Sequence, residues 1–458
     1  MKDINAAIAV TRFGMGARAG EIPAARSDPR GWLRTQLAQT EDVLIDARDL
    51  PTTKDAAAEI IGDQQERRAF KRAGAGKTAD IAARQKMMNR AEHAAFGRDI
   101  AARNRHAIET AAPFLERWAR FWSNHFTVSV RKQSLFRLVG PYEREAIRAN
   151  AFGTFKDLLF AAVLHPAMLL YLDNNRSIGP STLVARRRKM GLNENLAREA
   201  LELHTLGVDG GYTQGDVEAF AKALTGWTIS TPALRDSGFG ETIFEPRLHE
   251  PGGKEVLARA YPDNGGDQAK VILSDLAGHP STARHIAAKL ARHFIADAPP
   301  PGAIEKLTGV FLDTDGDLRA LASAVIDLDE AWEPAPQKLK TPEELLISAA
   351  RLLGGHVVYG GDARKIYTSL GQPPFAAASP EGWPDMAADW AGPDAVKKRL
   401  EWANSAARRA DIDINAEAFL DDALGALTSG RTRFSIIGAE SRRQGLTLAL
   451  MCPEFQRR

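Results

Sequence analysis

Apolar residues recur along this chain at spacings of three and four far more often than they alternate with polar residues. That spacing puts apolar side chains on one face of an α-helix, so it predicts helix as the dominant structure. Alanine, leucine, arginine and glutamate are abundant, and all four are good helix formers. The sequence therefore predicts a mainly α fold, with a large multi-helix, orthogonal or bundle-like body.

One segment departs from the helical pattern. Thr-Ile-Ser at 228–230 and Thr-Ile-Phe at 242–244 flank a Gly-containing stretch, which predicts a small β-hairpin around residues 227–248.

Capping residues predict where several helices begin. Thr213 with Asp216 three residues later predicts a capping box. His165 and His279 each precede a proline, which predicts a histidine at the helix entry and proline in the first turn.

The chain divides by composition into three predicted regions: N-terminal helices over 1–112, a central helical domain over 113–330 and a C-terminal helical region over 331–458. Residues 63–110 form a basic helical arm with eleven Lys/Arg against six acidic residues. Few aromatic residues interleave these charges, so the pattern favours a solvated helix over a nucleic-acid surface.

Prolines over 371–390 predict an extended belt that lays Phe375 and Trp383 on the helical body, with a peptide-like docking site as the alternative.

The overall charge excludes some function classes. Sixty basic and 58 acidic side chains leave a net charge of +2, which predicts no strong attraction to nucleic acid or membranes. The single cysteine, Cys452, excludes an internal disulfide.

The sequence has no long apolar run and its first residues lack an apolar signal region, so we expect a cytoplasmic protein. The common short signatures of hydrolases, zinc proteases and dinucleotide enzymes are absent, so any active site is assembled from distant segments.

Two predicted helices carry a histidine inside an apolar face. At about 100° per residue, His125 shares a face with Phe114, Trp118, Phe121 and Trp122. His204 lies in the apolar arc of the helix over 193–207. Burial should keep both imidazoles neutral. An unpaired ring nitrogen costs about 1–3 kcal/mol, so each histidine should have a partner, and a satisfied core histidine is the simplest interpretation.

Three glutamates on the second helix invite a metal-carboxylate hypothesis, but their spacing argues against it. Glu199 and Glu202 lie about 140° and 160° from His204 around an α-helix, so neither easily shares a metal with it. Ion pairs among Glu194, Arg198 and Glu202 are the better interpretation. A metal site would then need histidines from separate segments. Further candidate partners are Asn124, His165, Asp173, Asn174 and His249.

The sequence resembles the bacterial family called domain of unknown function 1800. The matching runs are Phe-Trp-Ser-Asn-His-Phe at 121–126, His-Pro-Ala-Met-Leu at 165–169, Asp-Asn at 173–174, Asn-Glu-Asn-Leu-Ala-Arg-Glu at 193–199, His-Thr-Leu-Gly at 204–207, Tyr-Thr at 212–213, Leu-Thr-Gly-Trp at 224–227, Gly-Gln-Pro at 371–373, Pro-Glu-Gly-Trp at 380–383 and Pro-Glu-Phe-Gln at 453–456. Asp216, His249, Gly253 and Lys254 also match. The similarity spans nearly the whole chain.

The resemblance implies no established activity. Such proteins are often encoded beside a second uncharacterised family, domain of unknown function 1501, which resembles the alkaline phosphatase and sulfatase fold; this predicts a partner from that family. The chain departs from the family pattern at Glu250, where aspartate usually follows the histidine, and in the basic arm.

The leading functional hypothesis is an enzyme with a histidine-based site. His125, His204 and His249 would bind a divalent transition metal or act as acid and base groups. Asn124, Glu199 and Lys254 would be catalytic, with Lys254 holding an anionic substrate group. The predicted reaction is metal-assisted hydrolysis or oxidation. The alternatives are a non-catalytic binding or assembly protein and, more weakly, nucleic-acid binding through the arm.

Overall fold

The computed structural model describes residues 2–72, 78–188, 190–231, 234, 240–335 and 338–458. These residues form mainly α-helices, which confirms the predicted fold class. The helices are α1 Lys2–Ile8, α2 Glu21–Ala25, α3 Pro29–Leu37, α4 Thr53–Arg72, α5 Thr78–Glu109, α6 Pro113–His125, α7 Val139–Tyr142, α8 Phe155–Val163, α9 Pro166–Tyr171, α10 Leu183–Arg188, α11 Asn195–Glu199, α12 Gln214–Leu224, α13 Gly266–Ala277, α14 Pro280–Phe294, α15 Pro301–Asp313, α16 Leu318–Asp327, α17 Pro342–Leu353, α18 Gly355–Tyr359, α19 Ala363–Ser369, α20 Ala387–Trp390, α21 Pro393–Arg409, α22 Ala416–Ala423, α23 Gly430–Ile437, α24 Arg442–Met451 and α25 Pro453–Gln456.

The predicted helix caps are present. Thr213 and Asp216 form a reciprocal capping box at the start of α12. His165 and His279 each accept a hydrogen bond at Nδ1, from the backbone N–H of Ala167 and Ser281 respectively, both at 3.1 Å. The two histidines are therefore N-caps, and the prolines that follow them occupy first-turn positions where no N–H is needed.

The predicted hairpin is also present. Strands β1 (Trp227–Ile229) and β2 (Thr242–Phe244) pair antiparallel, with Trp227 opposite Phe244 and Ile229 opposite Thr242. Part of the connecting segment lies outside the described residues.

A second hairpin is present that the sequence pattern did not predict. It joins β3 (Lys254–Val256) to β4 (Arg259–Tyr261) through Leu257 and Ala258, whose φ angles are 52° and 58°. Two-residue turns of this kind usually contain asparagine or glycine, so Leu-Ala gives no signal. The carboxylate of Asp216 accepts a hydrogen bond from the Leu257 N–H at 2.6 Å, which helps to hold this turn in place.

Two apolar cores lie beneath these elements. The larger contains buried residues from Ala6 to Trp332, and the second contains residues from Leu345 to Phe455. The C-terminal part of α5 enters the larger core through Phe96 and Ile100, so this part of the predicted basic arm is not a solvated helix. The predicted boundaries at 112 and 330 stay predictions. Within the described residues, no helix is long and apolar enough to cross a membrane.

A buried cluster of ion pairs lies along the polar side of α6. Arg148 is buried and bonds the carboxylates of Glu116 and Glu143 at 2.7–3.0 Å. Arg103 pairs with Glu143 and Glu343, and Arg120 pairs with Glu116 and Glu343. Burial raises the pKa of Glu116, but Arg148 and Arg120 outweigh it and hold that pKa well below its usual range.

We expect Arg148→Met to lower the free energy of unfolding by about 3–5 kcal/mol, because it leaves the buried Glu116 and Glu143 with less compensating charge. Urea unfolding followed by circular dichroism measures the change. Arg48→Met is the control, since Arg48 pairs with Asp46 on the surface. An Arg148→Met midpoint equal to that of the control would contradict the assignment.

Candidate functional site

Helix α6 places His125 at its last residue. Pro113 begins the helix, and the rings of Phe114, Trp118 and Trp122 are fully buried, as the 3.6-residue period predicts. The side chain of His125 lies among them, with its ring centroid 5.5 Å from that of Trp122 and 4.5 Å from that of Phe126. His125 is only 1% exposed.

The two predicted histidines do meet. The Nε2 atom of His125 lies 3.2 Å from the carbonyl oxygen of His204, and their ring centroids are 6.2 Å apart. A carbonyl accepts hydrogen bonds, so Nε2 carries the proton and the Nδ1 of His125 keeps its lone pair. This Nδ1 has no partner among the described residues, nor has either ring nitrogen of the fully buried His204. The expectation that every ring nitrogen is paired is therefore not met by the described side chains.

A wide helical turn positions His204. After α11, residues Ala200–Thr205 form a π-helix rather than an α-helix. The hydroxyl of Thr205 donates to the carbonyl of Ala200 at 2.7 Å, and the N–H of Leu206 donates to Leu201 at 2.9 Å, so both bonds span five residues. The α-helical angles used to separate Glu199 from His204 therefore do not apply across this turn. Such π-turns are frequent at functional sites.

Helix α14 brings a third histidine that sequence analysis missed. His285 lies with its Nε2 3.2 Å from the carbonyl of Leu203 and its ring 6.3 Å from that of His125. Gly207 permits this approach, because its φ is +85° and an added Cβ would lie 2.8 Å from the His285 Nδ1. His125, His204 and His285 thus form one cluster. Burial lowers the pKa of His204 to about 3 and that of His285 to about 4, so the cluster is neutral at pH 7.

His249 and Lys254 lie in a different environment. His249 Nδ1 bonds the carbonyl of Thr225 at 2.9 Å, and its ring packs against Phe244. The ammonium of Lys254 donates to the carbonyls of Glu250 and Gly252, both at 2.6 Å. These backbone bonds occupy Lys254, so it is poorly placed to hold a substrate anion.

The described residues give no support to a shared metal. No group of three or more His, Cys, Asp or Glu side chains among them is arranged to hold a metal ion. His125 and His204 are neighbours, but no contact joins His249 to either of them within the described residues.

The glutamates follow the ion-pair interpretation only in part. Arg198 pairs with Glu194 at 3.0 Å, whereas Glu202 accepts a hydrogen bond from the hydroxyl of Tyr212 at 3.0 Å. Glu199 is half-buried. Burial, reinforced by the nearby Glu202, raises its pKa.

Asn124 anchors the proline-rich belt. Its Nδ2 donates to the carbonyl of Trp383 at 2.9 Å, and its Oδ1 accepts from the N–H of Trp383 at 2.7 Å. Phe375 packs against Phe96 and under the guanidinium of Arg103. Phe375 therefore packs against the helical body, and Asn124 has a structural role because it holds the backbone of Trp383.

A cavity of about 410 Å³ lies between this belt and the helical body. Its walls come from α6, α14, the first turn of α17 and the belt, and they include His125, Lys289, Arg292, His293 and Glu381. Glu381, Met386 and Asp389 are exposed, so the belt forms the mouth.

Most polar groups in the wall already have partners. Arg117 pairs with Glu344 and donates to the carbonyl of Gly14 at 2.7 Å, and the Arg103 and Arg120 pairs are described above. Asp385 accepts from His293 Nδ1 at 2.8 Å and pairs with Lys338 at 3.3 Å. Because Arg117 approaches the other nitrogen of His293 at 3.4 Å, that imidazole is held on both sides.

Two cations in the wall remain unpaired. Lys289 and Arg292 make no hydrogen bond or ion pair to any described residue, and the Nε of Arg292 is buried. They follow His285 on α14 by four and seven residues. The recurrence of His, Lys, Arg and His at 285, 289, 292 and 293 along one stripe of a helix was the sequence signal that could have identified them.

The sequence matches the family described as "Protein of unknown function (DUF1800)" over residues 8–457. The chain belongs to the DUF1800 family. No curated protein and no solved structure matches the chain. The described geometry of this DUF1800 protein is therefore the basis for any functional proposal.

The buried histidines predict a pH dependence of stability. The folded-state pKa values of His165, His204, His285 and His293 are lowered to about 3–4 by burial, so the unfolded chain binds more protons below its own histidine pKa of about 6.5. The free energy of unfolding of the DUF1800 protein should be highest above pH 6.5. It should fall on acidification towards pH 4, by about 1.4 kcal/mol per pH unit for each such histidine. Urea midpoints across this range measure the slope. His165→Asn removes one of these histidines but keeps a side chain that can cap the helix, so the dependence of the unfolding free energy on pH should decrease by one proton. An unchanged pH dependence in this variant would contradict the account.

The belt gives a second prediction. Gly382 has φ +93°, and an added Cβ would lie 2.5 Å from the carbonyl oxygen of Asn124. Gly382→Ala should therefore loosen the belt and speed amide hydrogen exchange over 380–386. Gly371→Ala is the matched control, since its φ is +92° but no atom lies within 4 Å of the added Cβ. Equal exchange in the two variants would show that backbone strain, and not the contact with Asn124, determines the effect.

Proposed function

We propose that this DUF1800 protein is an enzyme that binds a small organic anion in the cavity beneath the belt and transfers a proton to or from it. The observation that carries the proposal is that Lys289 and Arg292, two cations without an ion-pair partner among the described residues, line a cavity of about 410 Å³. His125 lines the same cavity, and its buried Nδ1 has no hydrogen-bond partner among the described residues. Lys289 and Arg292 would bind the anion, and His125 would exchange the proton.

The cost of leaving charges unpaired supports an anionic ligand. Removing a cation from water without a partner costs several kcal/mol, so buried cations are normally paired. The other arginines in the wall follow this rule, because each has a carboxylate partner. A carboxylate or phosphate between Lys289 and Arg292 would supply the missing charge, and a guanidinium can bind either group through two hydrogen bonds.

The chemistry of His125 supports proton transfer. Its Nε2–H is held by the carbonyl of His204, so the ring orientation is fixed and the free nitrogen is Nδ1. Burial, reinforced by Lys289, lowers the pKa of His125 well below its usual value, so Nδ1 is unprotonated at pH 7 and has a lone pair, although it is a weaker base than an ordinary imidazole.

This proposal moves the anion-binding role from Lys254 to Lys289. The metal at His125, His204 and His249, the catalytic role of Glu199 and the partner from the domain of unknown function 1501 family stay predictions. So do the cytoplasmic location and the two alternatives, a non-catalytic assembly role and nucleic-acid binding through the arm.

Malonate, a small dicarboxylate with an acidic C–H, tests both parts of the proposal. It should raise the melting temperature relative to sodium chloride of equal ionic strength, because ligands that bind the folded state stabilise it. Arg292→Gln should weaken malonate binding about 10- to 100-fold, since a hydrogen bond to a charged group contributes about 1.5–3 kcal/mol. Deuterium uptake from solvent into malonate, followed by NMR, should be catalysed by the wild type and lost in His125→Asn.

Arg284→Gln is the matched control, because Arg284 is an exposed arginine on the same helix and does not line the cavity. It should bind malonate like the wild type. Equal loss of binding in both variants would indicate a general charge effect and contradict the cavity site. Binding without deuterium exchange would contradict the enzymatic part of the proposal.

A further inference from the structure

Lys289 differs from the nearby buried lysines Lys338 and Lys340 because its ammonium group has no hydrogen-bond partner among the described residues. Lys338 donates a hydrogen bond to the carboxylate of Asp297 at 2.6 Å, and Lys340 donates to the hydroxyl of Ser348 at 2.8 Å. Lys289 is half-buried, lines the cavity and has no such partner among the described residues. An amine in this position is free to react with a ligand.

We propose that Lys289 is a nucleophile that forms an imine with a 2-oxo acid whose carboxylate is bound by Arg292. This inference rests on the proposed function, because it uses the same cavity and the same anion-binding arginine. It adds a covalent step and a substrate class.

The helical spacing selects the substrate class. Residues three apart on a helix are neighbours, with Cβ atoms about 5–6 Å apart, so the ends of Lys289 and Arg292 can reach adjacent atoms of one ligand. In a 2-oxo acid the carbonyl carbon is bonded directly to the carboxylate carbon. A guanidinium that holds the carboxylate through two hydrogen bonds therefore presents the carbonyl to the neighbouring amine.

The surroundings of Lys289 increase the share of the neutral, nucleophilic amine relative to an ordinary lysine, while the ammonium form still predominates at pH 7 and can bind an anion. Burial, reinforced by Arg292, lowers the pKa of Lys289 to about 8 against the opposing effects of Glu381 and Asp385. Desolvation and a neighbouring cation are the two features that activate catalytic lysines for imine formation. The neutral histidine cluster adds no negative charge that would stabilise the ammonium form.

The step is balanced without an oxidant or a further reactant. The lone pair of the neutral amine forms a C–N bond to the carbonyl carbon, and the carbonyl oxygen becomes a hydroxyl. Loss of water then breaks the C–O bond and leaves the C=N bond, with both amine hydrogens departing in the water. Hydrolysis reverses the sequence and restores Lys289.

Borohydride trapping tests the imine directly. The full-length protein is incubated with pyruvate, reduced with sodium borohydride, digested and analysed by mass spectrometry, since reduction converts an imine into a stable secondary amine. We expect the adduct at Lys289 to be at least tenfold more abundant than at Lys397, an exposed lysine on α21. Acetone, which has the same methyl ketone but no carboxylate, should give at least tenfold less adduct at Lys289.

Three variants separate this inference from the proposed function. Lys289→Arg keeps a cation but cannot form an imine, so it should lose the adduct. Arg292→Gln should lose both the adduct and stabilisation by malonate. Arg284→Gln should retain both.

Stabilisation of the wild type by malonate without an adduct at Lys289 would overturn the imine and leave the proposed function intact. An adduct equally abundant with acetone, or unchanged in Arg292→Gln, would overturn the 2-oxo acid assignment. Absence of both stabilisation and adduct would overturn both proposals.

Discussion

The cost of burying charge on the polar side of α6 constrains much of this structure. Glu116 is fully buried and Arg148 is 1% exposed, so each would be severely destabilising alone. Their pairing satisfies both, and Glu143, Arg103 and Arg120 extend the network to Glu343 on α17. The larger core and the second core are thereby joined through ion pairs with fixed partners, which allow little change in the relative position of α6 and α17.

This constraint determines which cations are available in the cavity. Arg103, Arg117 and Arg120 line its wall, yet their carboxylate partners already occupy them. A ligand that competed for any of them would deprive a buried or partly buried glutamate of one of its arginine partners. The cations without such partners are on α14. The nearby carboxylate of Asp385 is bonded to His293 and Lys338, and neither Asp385 nor Glu381 forms an ion pair with Lys289 or Arg292. The anion-binding capacity of the cavity therefore belongs to α14, while the arginines of α6 hold the wall in shape.

Local features of this fold follow from the sequence, whereas contacts between distant residues do not. The helical period, the capping box at Thr213 and the buried face ending at His125 follow from spacing within one element. The bonds between Asn124 and Trp383 do not follow from spacing, because they join residues 259 apart. The π-turn that contains His204 does not follow either, because its residues also fit an ordinary α-helical pattern. Lys289 was missed because an isolated lysine on an amphipathic helix normally points to solvent, and only the belt makes its surroundings a cavity.

The π-turn and Gly207 link the fold to the chemistry of Lys289. The wide turn places the ring of His204 beside that of His125, and Gly207 lets His285 approach from α14. All three imidazoles are neutral at pH 7 because burial opposes their protonation. They can surround an amine with polarisable rings without supplying the negative charge that a carboxylate would bring. A carboxylate in place of His125 would add to the negative charge of Glu381 and Asp385, which already raise the pKa of Lys289, and would favour the ammonium form further. The neutral histidine cluster adds no such charge.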